Sequence, residues 1–328
     1  MPARSCELPK MKIVISGGSG LLGRLLTRAF AQDGHEVVVL SRNPRADGPA
    51  RAVAWDAFSP GAWSAELEGA DAVINLAGRS VNCRYTAANR RAIVDSRVNS
   101  TRAIGRAIAQ AARPPRVWLQ AATATIYAHR YDAPNDEATG LMGGAESDAP
   151  ETWRFSIDVA TAWERAVEEV PLSQTRKVLM RISIVMSPVR GGAFDIMLGL
   201  VRHGLGGRFG DGRQYVSWIH EADLVRAVYW LIQRDTLEGP VNLAAPQPLP
   251  NAEFMRGLRR AWGVRFGLPA VEWMLELGAV FLRTETELIL KSRRVVPGRL
   301  LQDGFVFQFP AWPEAAADLC RRWRESRG

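Results

Sequence analysis

The sequence has little cysteine, histidine or lysine, and each scarcity excludes something. The three cysteines, Cys6, Cys83 and Cys320, are far apart and odd in number. They offer neither a disulfide framework nor a metal-thiolate spacing, and they fit a reducing, cytoplasmic setting. The four histidines, His35, His129, His203 and His220, form no paired ligand spacing, so no metal site is expected. Lysine occurs only at Lys10, Lys12, Lys177 and Lys291, so arginine supplies nearly all of the positive charge behind the net +8. Those arginines are spread along the chain rather than clustered with aromatics. That pattern fits a solvated basic surface and a small anionic ligand better than nucleic acid. No apolar run is long enough to span a membrane. The stretch 271–283 contains Glu272 and Glu276 and reads as amphipathic. The first residues lack the apolar segment and small-residue cleavage site of a secretory signal.

What is present is an alternation. The 328 residues, 47% of them hydrophobic, suffice for one large α/β domain or two smaller ones. K-I-V-I-S (12–16) reads as a strand. Leu22, Leu26, Ala29 and Phe30 then fall on one helical face, and Asp33-Gly34 closes that helix. Strands follow at 36–41, 52–55 and 71–78. A long helix over 86–112 carries Val94, Val98, Thr101, Ile104 and Ile108 on one face, and Pro114-Pro115 ends it. A fifth strand (116–122), a helix (152–170) and a sixth strand (177–185) complete the series. Continuous apolar strands between amphipathic helices imply a Rossmann-type α/β fold, a doubly wound parallel sheet covered on both faces. The regular alternation breaks at a glycine-rich region (191–212) and at A-A-P-Q-P-L-P (244–250). We therefore expect a nucleotide-binding domain over 11–245, with 191–219 contributing to a smaller, mostly helical C-terminal substrate lobe over 246–328. That lobe would include a short β-like segment at 304–310.

Residues 16–24 read S-G-G-S-G-L-L-G-R. Gly17, Gly20 and Gly23 directly follow the first strand and open a helix, which is the context of a dinucleotide fingerprint. Glycine permits the tight turn and lets a diphosphate approach the backbone of Ser19, Leu21 and Leu22, while the helix N-terminus supplies free N–H donors. No Gly-Lys-Ser/Thr follows, so the turn is not a Walker-type loop. The second strand ends in Ser41-Arg42. An NAD site usually has an acidic residue there, whereas a hydroxyl and a guanidinium suit the 2′-phosphate of NADP(H). Asp56, after the third strand, either reaches the adenine or caps a turn. Leu76, Ala77 and Gly78, after the fourth, would pass along the cofactor, their small side chains allowing close backbone approach.

Beyond the spaced glycines, N-L-A-G (75–78) and A-T-A-T-I-Y (122–127) follow strands four and five. D-S-R (95–97), G-D-G-R-Q-Y-V-S-W-I-H-E-A-D (210–223) and P-G-R-L-L-Q-D-G-F-V-F (297–307) complete the pattern. With these motifs the chain resembles an extended short-chain dehydrogenase/reductase over nearly its whole length. More narrowly, it resembles the atypical NAD-dependent epimerase/dehydratase branch that carries an additional C-terminal domain. The resemblance implies an oxidoreductase or epimerase-like activity on a small, sugar-nucleotide-like substrate, with Thr123 orienting the reacting oxygen. It also implies Gln214 and Trp218 on the substrate side and a homodimer packed through the long helices.

The wider superfamily relies on a Tyr-x-x-x-Lys pair, in which the lysine lowers the tyrosine's pKa for proton exchange. No such pair exists anywhere in this chain. Aligning Glu164 with the acidic residue that usually ends the motif puts Ser156 at the tyrosine position and Ala160 at the lysine position. Tyr127, His129 and Asp158 are the candidate substitutes, and a catalytically silent NADP(H) sensor is the alternative function. Arg181 reads as part of a structural network or, near the end of strand six, as a cofactor contact. His220 and Asp223 read equally as helix braces or as chemistry.

Overall fold

The computed structural model describes residues 9–44, 48–146, 150–270 and 290–327. The amphipathic stretch expected at 271–283 lies outside them. The first half runs β1 (Lys12–Ser16), α1 (Leu21–Gln32), β2 (Glu36–Ser41), β3 (Arg51–Ala54), β4 (Ala72–Asn75), α2 (Ala87–Gln110), β5 (Val117–Thr123), α3 (Glu151–Glu168) and β6 (Arg176–Ile182). The second half runs β7 (Ile184–Met186), α4 (Ala193–Arg202), β8 (Tyr215–Val216), β9 (Trp218–His220), α5 (Glu221–Gln233), β10 (Gly239–Leu243), β11 (Leu249–Pro250), α6 (Asn251–Trp262), α7 (Gly298–Gln302) and α8 (Trp312–Glu325).

Seven strands form one parallel sheet in the order β10-β6-β5-β4-β1-β2-β3. The chain leaves β1 toward β2 and β3, then returns to place β4 on the other side of β1. That reversal opens a crevice at the C-terminal ends of β1 and β4, where ligands of such sheets bind. The central strands are largely apolar because helices cover both faces. Ile13 and Ile15 pack with Leu26 and Phe30 of α1 and with Leu224 and Val228 of α5. Val14 and Val73, pointing the other way, pack with Ile104 and Ile108 of α2 and Val167 of α3.

The sixth strand is shorter than its apolar run suggested. It stops at Ile182, because both the N–H and the hydroxyl of Ser183 bond to the carbonyl of Leu243, at 3.1 and 2.8 Å. The chain then turns out of the sheet as β7, which pairs with β9. The fourth strand likewise ends at Asn75 rather than continuing to residue 78.

A second core lies outside the sheet. Phe194 and Leu198 of α4, Phe254 and Leu258 of α6, Trp312 and Leu319 of α8, and Trp218 of β9 are all buried in it. The rings of Phe254 and Trp312 stack with centroids 3.9 Å apart. Residues 304–310 are not a strand. Their alternation reports a plug: Phe305 and Phe307 are buried against α5 and α7, while the Gln308 and Phe309 N–H groups donate to the Asp223 carboxylate at 2.7 and 2.8 Å.

Candidate functional site

The glycine turn is tight enough to need its glycines. Gly17 has φ +75°, and a Cβ there would lie 2.8 Å from the Leu76 carbonyl carbon. A Cβ on Gly18 would lie 2.4 Å from Val39 Cγ1, and one on Gly23 would lie 2.4 Å from the Gly18 Cα. Gly17 therefore lets β4 close against the turn, and Gly23 lets α1 close against it. Helix α1 begins at Leu21 with Gly20 as its N-cap and no side-chain cap. The first-turn N–H groups of Leu21, Leu22 and Gly23 have no intrahelical acceptor and remain for an external anion. Ser19 sits beside them on the exposed side, and its carbonyl accepts from Arg24.

A cavity of about 400 Å³ opens above this turn. The turn, Leu76, Ala121 and Ala122 line it, together with Trp163 of α3 and Ser183 at the break after β6. Asn75 shapes its edge. The Asn75 carboxamide oxygen accepts from the Ser16 hydroxyl at 2.5 Å and the Ala77 N–H at 3.1 Å, and its nitrogen donates to Gln120 at 2.9 Å. One side chain thus ties the tips of β1, β4 and β5 and bends Leu76, Ala77 and Gly78 along the cavity. The D-S-R segment clamps them from α2. Ser96 accepts the Arg79 N–H at 2.9 Å, and Arg97 donates to the Arg79 carbonyl at 2.9 Å.

At the end of β2 the Ser41 hydroxyl accepts the Asn43 N–H at 3.2 Å. Arg42 is exposed, and its guanidinium makes no bond to the described residues. Asp56 caps a turn. Its Oδ1 accepts the N–H groups of Phe58 and Ser59, both at 2.8 Å, and these bonds hold its carboxyl below the usual carboxylate range.

The residues nominated for chemistry separate. Thr123 closes β5, half-buried, and its oxygen accepts the Thr125 N–H at 3.2 Å, which leaves its own O–H free to donate. Tyr127 is held as a strut. Its hydroxyl donates to Asn242 at 3.0 Å and accepts from Arg181 at 2.9 Å. Burial pushes the phenol's pKa up, against the pull of Arg181, which is the opposite of a catalytic tyrosine. Arg181 also grips Glu164 through two bonds of 2.8 Å. Ala160, at the lysine position, is buried with Ala124, Ile126, Tyr127 and Val295, an environment that would penalise an ammonium group. Asp158 is exposed on α3, and His129 accepts the Ser292 N–H at 2.7 Å.

Gln214 and Trp218 are not on an open substrate wall. Gln214 is buried and donates to the Phe209 carbonyl at 2.9 Å, closing the loop around Gly210 and Gly212. Trp218 is fully buried against Trp312, with centroids 5.1 Å apart. Both belong to the packing of the second core. Sequence reasoning missed Trp163 and Ser183, which line the cavity. The available signals were an indole three residues beyond the lysine position and a serine interrupting the apolar run R-I-S-I-V. Among the described residues no three His, Cys, Asp or Glu side chains gather to hold a metal, and no helix is long and apolar enough to cross a membrane.

Comparison with known proteins bears on this geometry. The profile of the NAD dependent epimerase/dehydratase family matches residues 13–244, and that of a domain of unknown function, DUF1731, matches 271–319. The chain belongs to the NAD dependent epimerase/dehydratase family. It is 32% identical over 312 residues to the human epimerase family protein SDR39U1, spanning 94% of this chain and 99% of that one. It is 31% identical to epimerase family protein YfhF of Bacillus subtilis, spanning 91% of this chain and 94% of that one. The crystal structure of human SDR39U1 (isoform 2) with NADPH superposes with a TM-score of 0.82 at 30% identity, covering 95% of this chain and 99% of that one. MoeE5, solved in complex with UDP-glucose and NAD, shares the fold with a TM-score of 0.71 at 19% identity, covering 97% of this chain and all of that one. The family and the Rossmann-type fold therefore stand together.

Proposed function

We propose that this protein is an NADP(H)-dependent oxidoreductase or epimerase-like enzyme acting on a small substrate. The observation that carries the reading is the pairing of an uncapped helix start behind Gly17 with an unengaged Arg42 at the end of β2. The first suits a diphosphate and the second a 2′-phosphate. The NADPH in the SDR39U1 structure supports the choice of cofactor. Gly20, Leu21, Leu22 and Gly23 would hold the diphosphate through backbone N–H groups. Ser41 and Arg42 would hold the 2′-phosphate, and Leu76–Gly78 would lie along the dinucleotide. The bound nicotinamide would supply or accept hydride. Thr123 would donate a hydrogen bond to the substrate oxygen at the tip of β5. The second core, with residues 191–219, would contribute the substrate side of the cavity, where Ala193 already lines it.

A second reading, an NADP(H) sensor, draws on the apolar setting of Ala160 and the strut role of Tyr127. Calorimetric titration of NADPH and NADH into wild type and Arg42→Ala tests the cofactor assignment. NADPH should bind at least about tenfold more tightly than NADH, and the variant should erase that difference. Equal binding of both cofactors to wild type would remove the NADP(H) reading. Oxidation of bound NADPH on addition of a carbonyl substrate would separate the enzyme from the sensor.

A further inference from the structure

Arg97 is a half-buried cation at the edge of the cavity, and neither the glycine turn nor the missing catalytic pair accounts for it. Its guanidinium carbon lies 4.9 Å from the centroid of the Trp163 ring. A Cβ on Gly78 would lie 3.4 Å from the same carbon. The group is thus held between an indole that lines the cavity and the backbone at its edge. Among the described residues no carboxylate pairs with it. Nη1 donates to the carbonyls of Arg79 and Ile93 at 2.9 and 3.1 Å, and among those residues Nε and Nη2 make no bond. Burial lowers its pKa to about 10, with Tyr85 opposing. The neighbouring Trp163 N–H is buried and has no acceptor. The Trp163 N–H is thus a buried donor without a partner, which costs about 1–3 kcal/mol, and the guanidinium of Arg97 on the adjacent helix stands beside it. Gly78 lies three residues beyond Asn75, as Thr123 lies three residues beyond Asn75's sheet partner, Gln120. The donors thus stand at the β4–β5 end of the site.

We propose that Arg97 and Trp163 form an anion-binding site that takes phosphate or carboxylate oxygens of a molecule in the cavity. Such a group accepts hydrogen bonds without donating any, so it matches a set made only of donors. Two sources share this chemistry: the diphosphate of the dinucleotide, or an acidic group on the substrate. The inference rests on the cavity being the cofactor site.

The experiment titrates three probes into wild type and Arg97→Gln: NADPH, adenosine 2′,5′-bisphosphate, and inorganic phosphate added to NADPH-saturated protein. If the cofactor diphosphate is the anion, the variant binds NADPH about tenfold more weakly while its affinity for the bisphosphate, which lacks the nicotinamide half, stays within about twofold. If a substrate group is the anion, NADPH affinity is unchanged, and phosphate binding is present in wild type and lost in the variant. Unchanged binding of all three probes, at equal thermal stability, overturns the proposal. Should Arg97→Gln fail to fold, Arg97→Lys and Trp163→Phe are titrated instead, and wild-type behaviour of both overturns it equally. If wild type binds no NADPH, the cofactor reading falls. Phosphate binding by wild type alone that is lost in Arg97→Gln would still support the anion site.

Discussion

At the scale of single residues, the glycines of the turn do two separable things. Gly17 combines a left-handed backbone with a contact, whereas Gly34 has φ +81° and open space where its Cβ would be. An alanine at either position meets the left-handed strain of about 1–2 kcal/mol. Only Gly17→Ala also drives a methyl into the Leu76 carbonyl. Gly17→Ala should therefore lose clearly more stability than Gly34→Ala in urea unfolding, and it alone should abolish NADPH binding. Equal losses with NADPH binding retained in both would show that the turn does not depend on close approach of β4. Arg42 and Arg97 differ in the same separable way. Arg42 is exposed and unengaged, so replacing it should alter cofactor choice with little effect on stability. Arg97 already holds the Arg79 and Ile93 carbonyls, so its replacement mixes a binding effect with a folding effect. That is why its test needs a probe lacking the nicotinamide half.

At the scale of elements, Tyr127 packs in one buried cluster with Ala160, the position where the superfamily keeps its lysine. Its hydroxyl joins β5 to Arg181 of β6 and Asn242 of β10, and Arg181 joins both to Glu164 of α3. Asn242 continues the chain, donating to the Val296 carbonyl at 2.9 Å and, through its N–H, to Glu137 at 2.7 Å. Glu137 in turn accepts the Arg299 N–H at 3.2 Å, and a Cβ on Gly298 would lie 2.9 Å from its carboxylate. The P-G-R motif is therefore where the C-terminal segment docks on the sheet. Two substitutions distinguish a strut from a catalyst. Tyr127→Phe should cost about 1–3 kcal/mol, the penalty for a buried partner left unmatched, and leave NADPH affinity intact. Glu164→Ala should cost about 3–5 kcal/mol, because it strands the buried Arg181 charge. A Tyr127→Phe protein of full stability that has lost NADPH-dependent turnover would restore Tyr127 as the proton donor.

The same elements mark the limits of sequence reading. The strand–helix alternation, the parallel sheet it implies and the glycine turn were legible because each depends on local periodicity and on the constraints of glycine. Tyr127 looked catalytic because it follows strand five, and its burial between β6 and β10 is a tertiary fact that no spacing encodes. Gln214 and Trp218 were drawn to the substrate side by their motif, yet that motif builds the second core. The segment G-F-V-F-Q-F-P had a strand's alternation, but its N–H groups found the Asp223 carboxylate instead of a neighbouring strand. Trp163 escaped notice, and Arg97 was read only as part of the D-S-R motif, because their meaning lies in the contact between α2 and α3.

At the scale of the whole molecule, the sheet and the second core are fastened where α5 meets α8. His220 sits at that joint, fully buried and stacked on Phe309 with centroids 3.9 Å apart. Its Nδ1 accepts the Ala222 N–H at 3.0 Å as the N-cap of α5, and its Nε2 faces the Asp318 carboxylate at 3.1 Å. This arrangement fixes the neutral tautomer with hydrogen on Nε2. A second proton would have to go on Nδ1, opposite a backbone donor. Burial accordingly lowers the histidine's pKa from its usual value, outweighing the opposing pull of Asp318, Glu221 and Asp223, while Arg322 adds to the lowering. In the unfolded chain the histidine takes up a proton near pH 6.5, whereas in the folded protein it does so only at lower pH. The unfolded state thus binds more protons in the interval between, so this residue's contribution is fully present above about pH 6.5 and is lost as pH falls through that interval toward the lowered folded value. His220→Asn keeps a side-chain oxygen for the helix cap but cannot titrate. Urea unfolding from pH 8 to pH 5 should show wild type losing stability more steeply than the variant below about pH 6.5, with parallel behaviour above it. Parallel curves across the whole range would mean that acid loosens this joint through its carboxylates and that His220 takes no part.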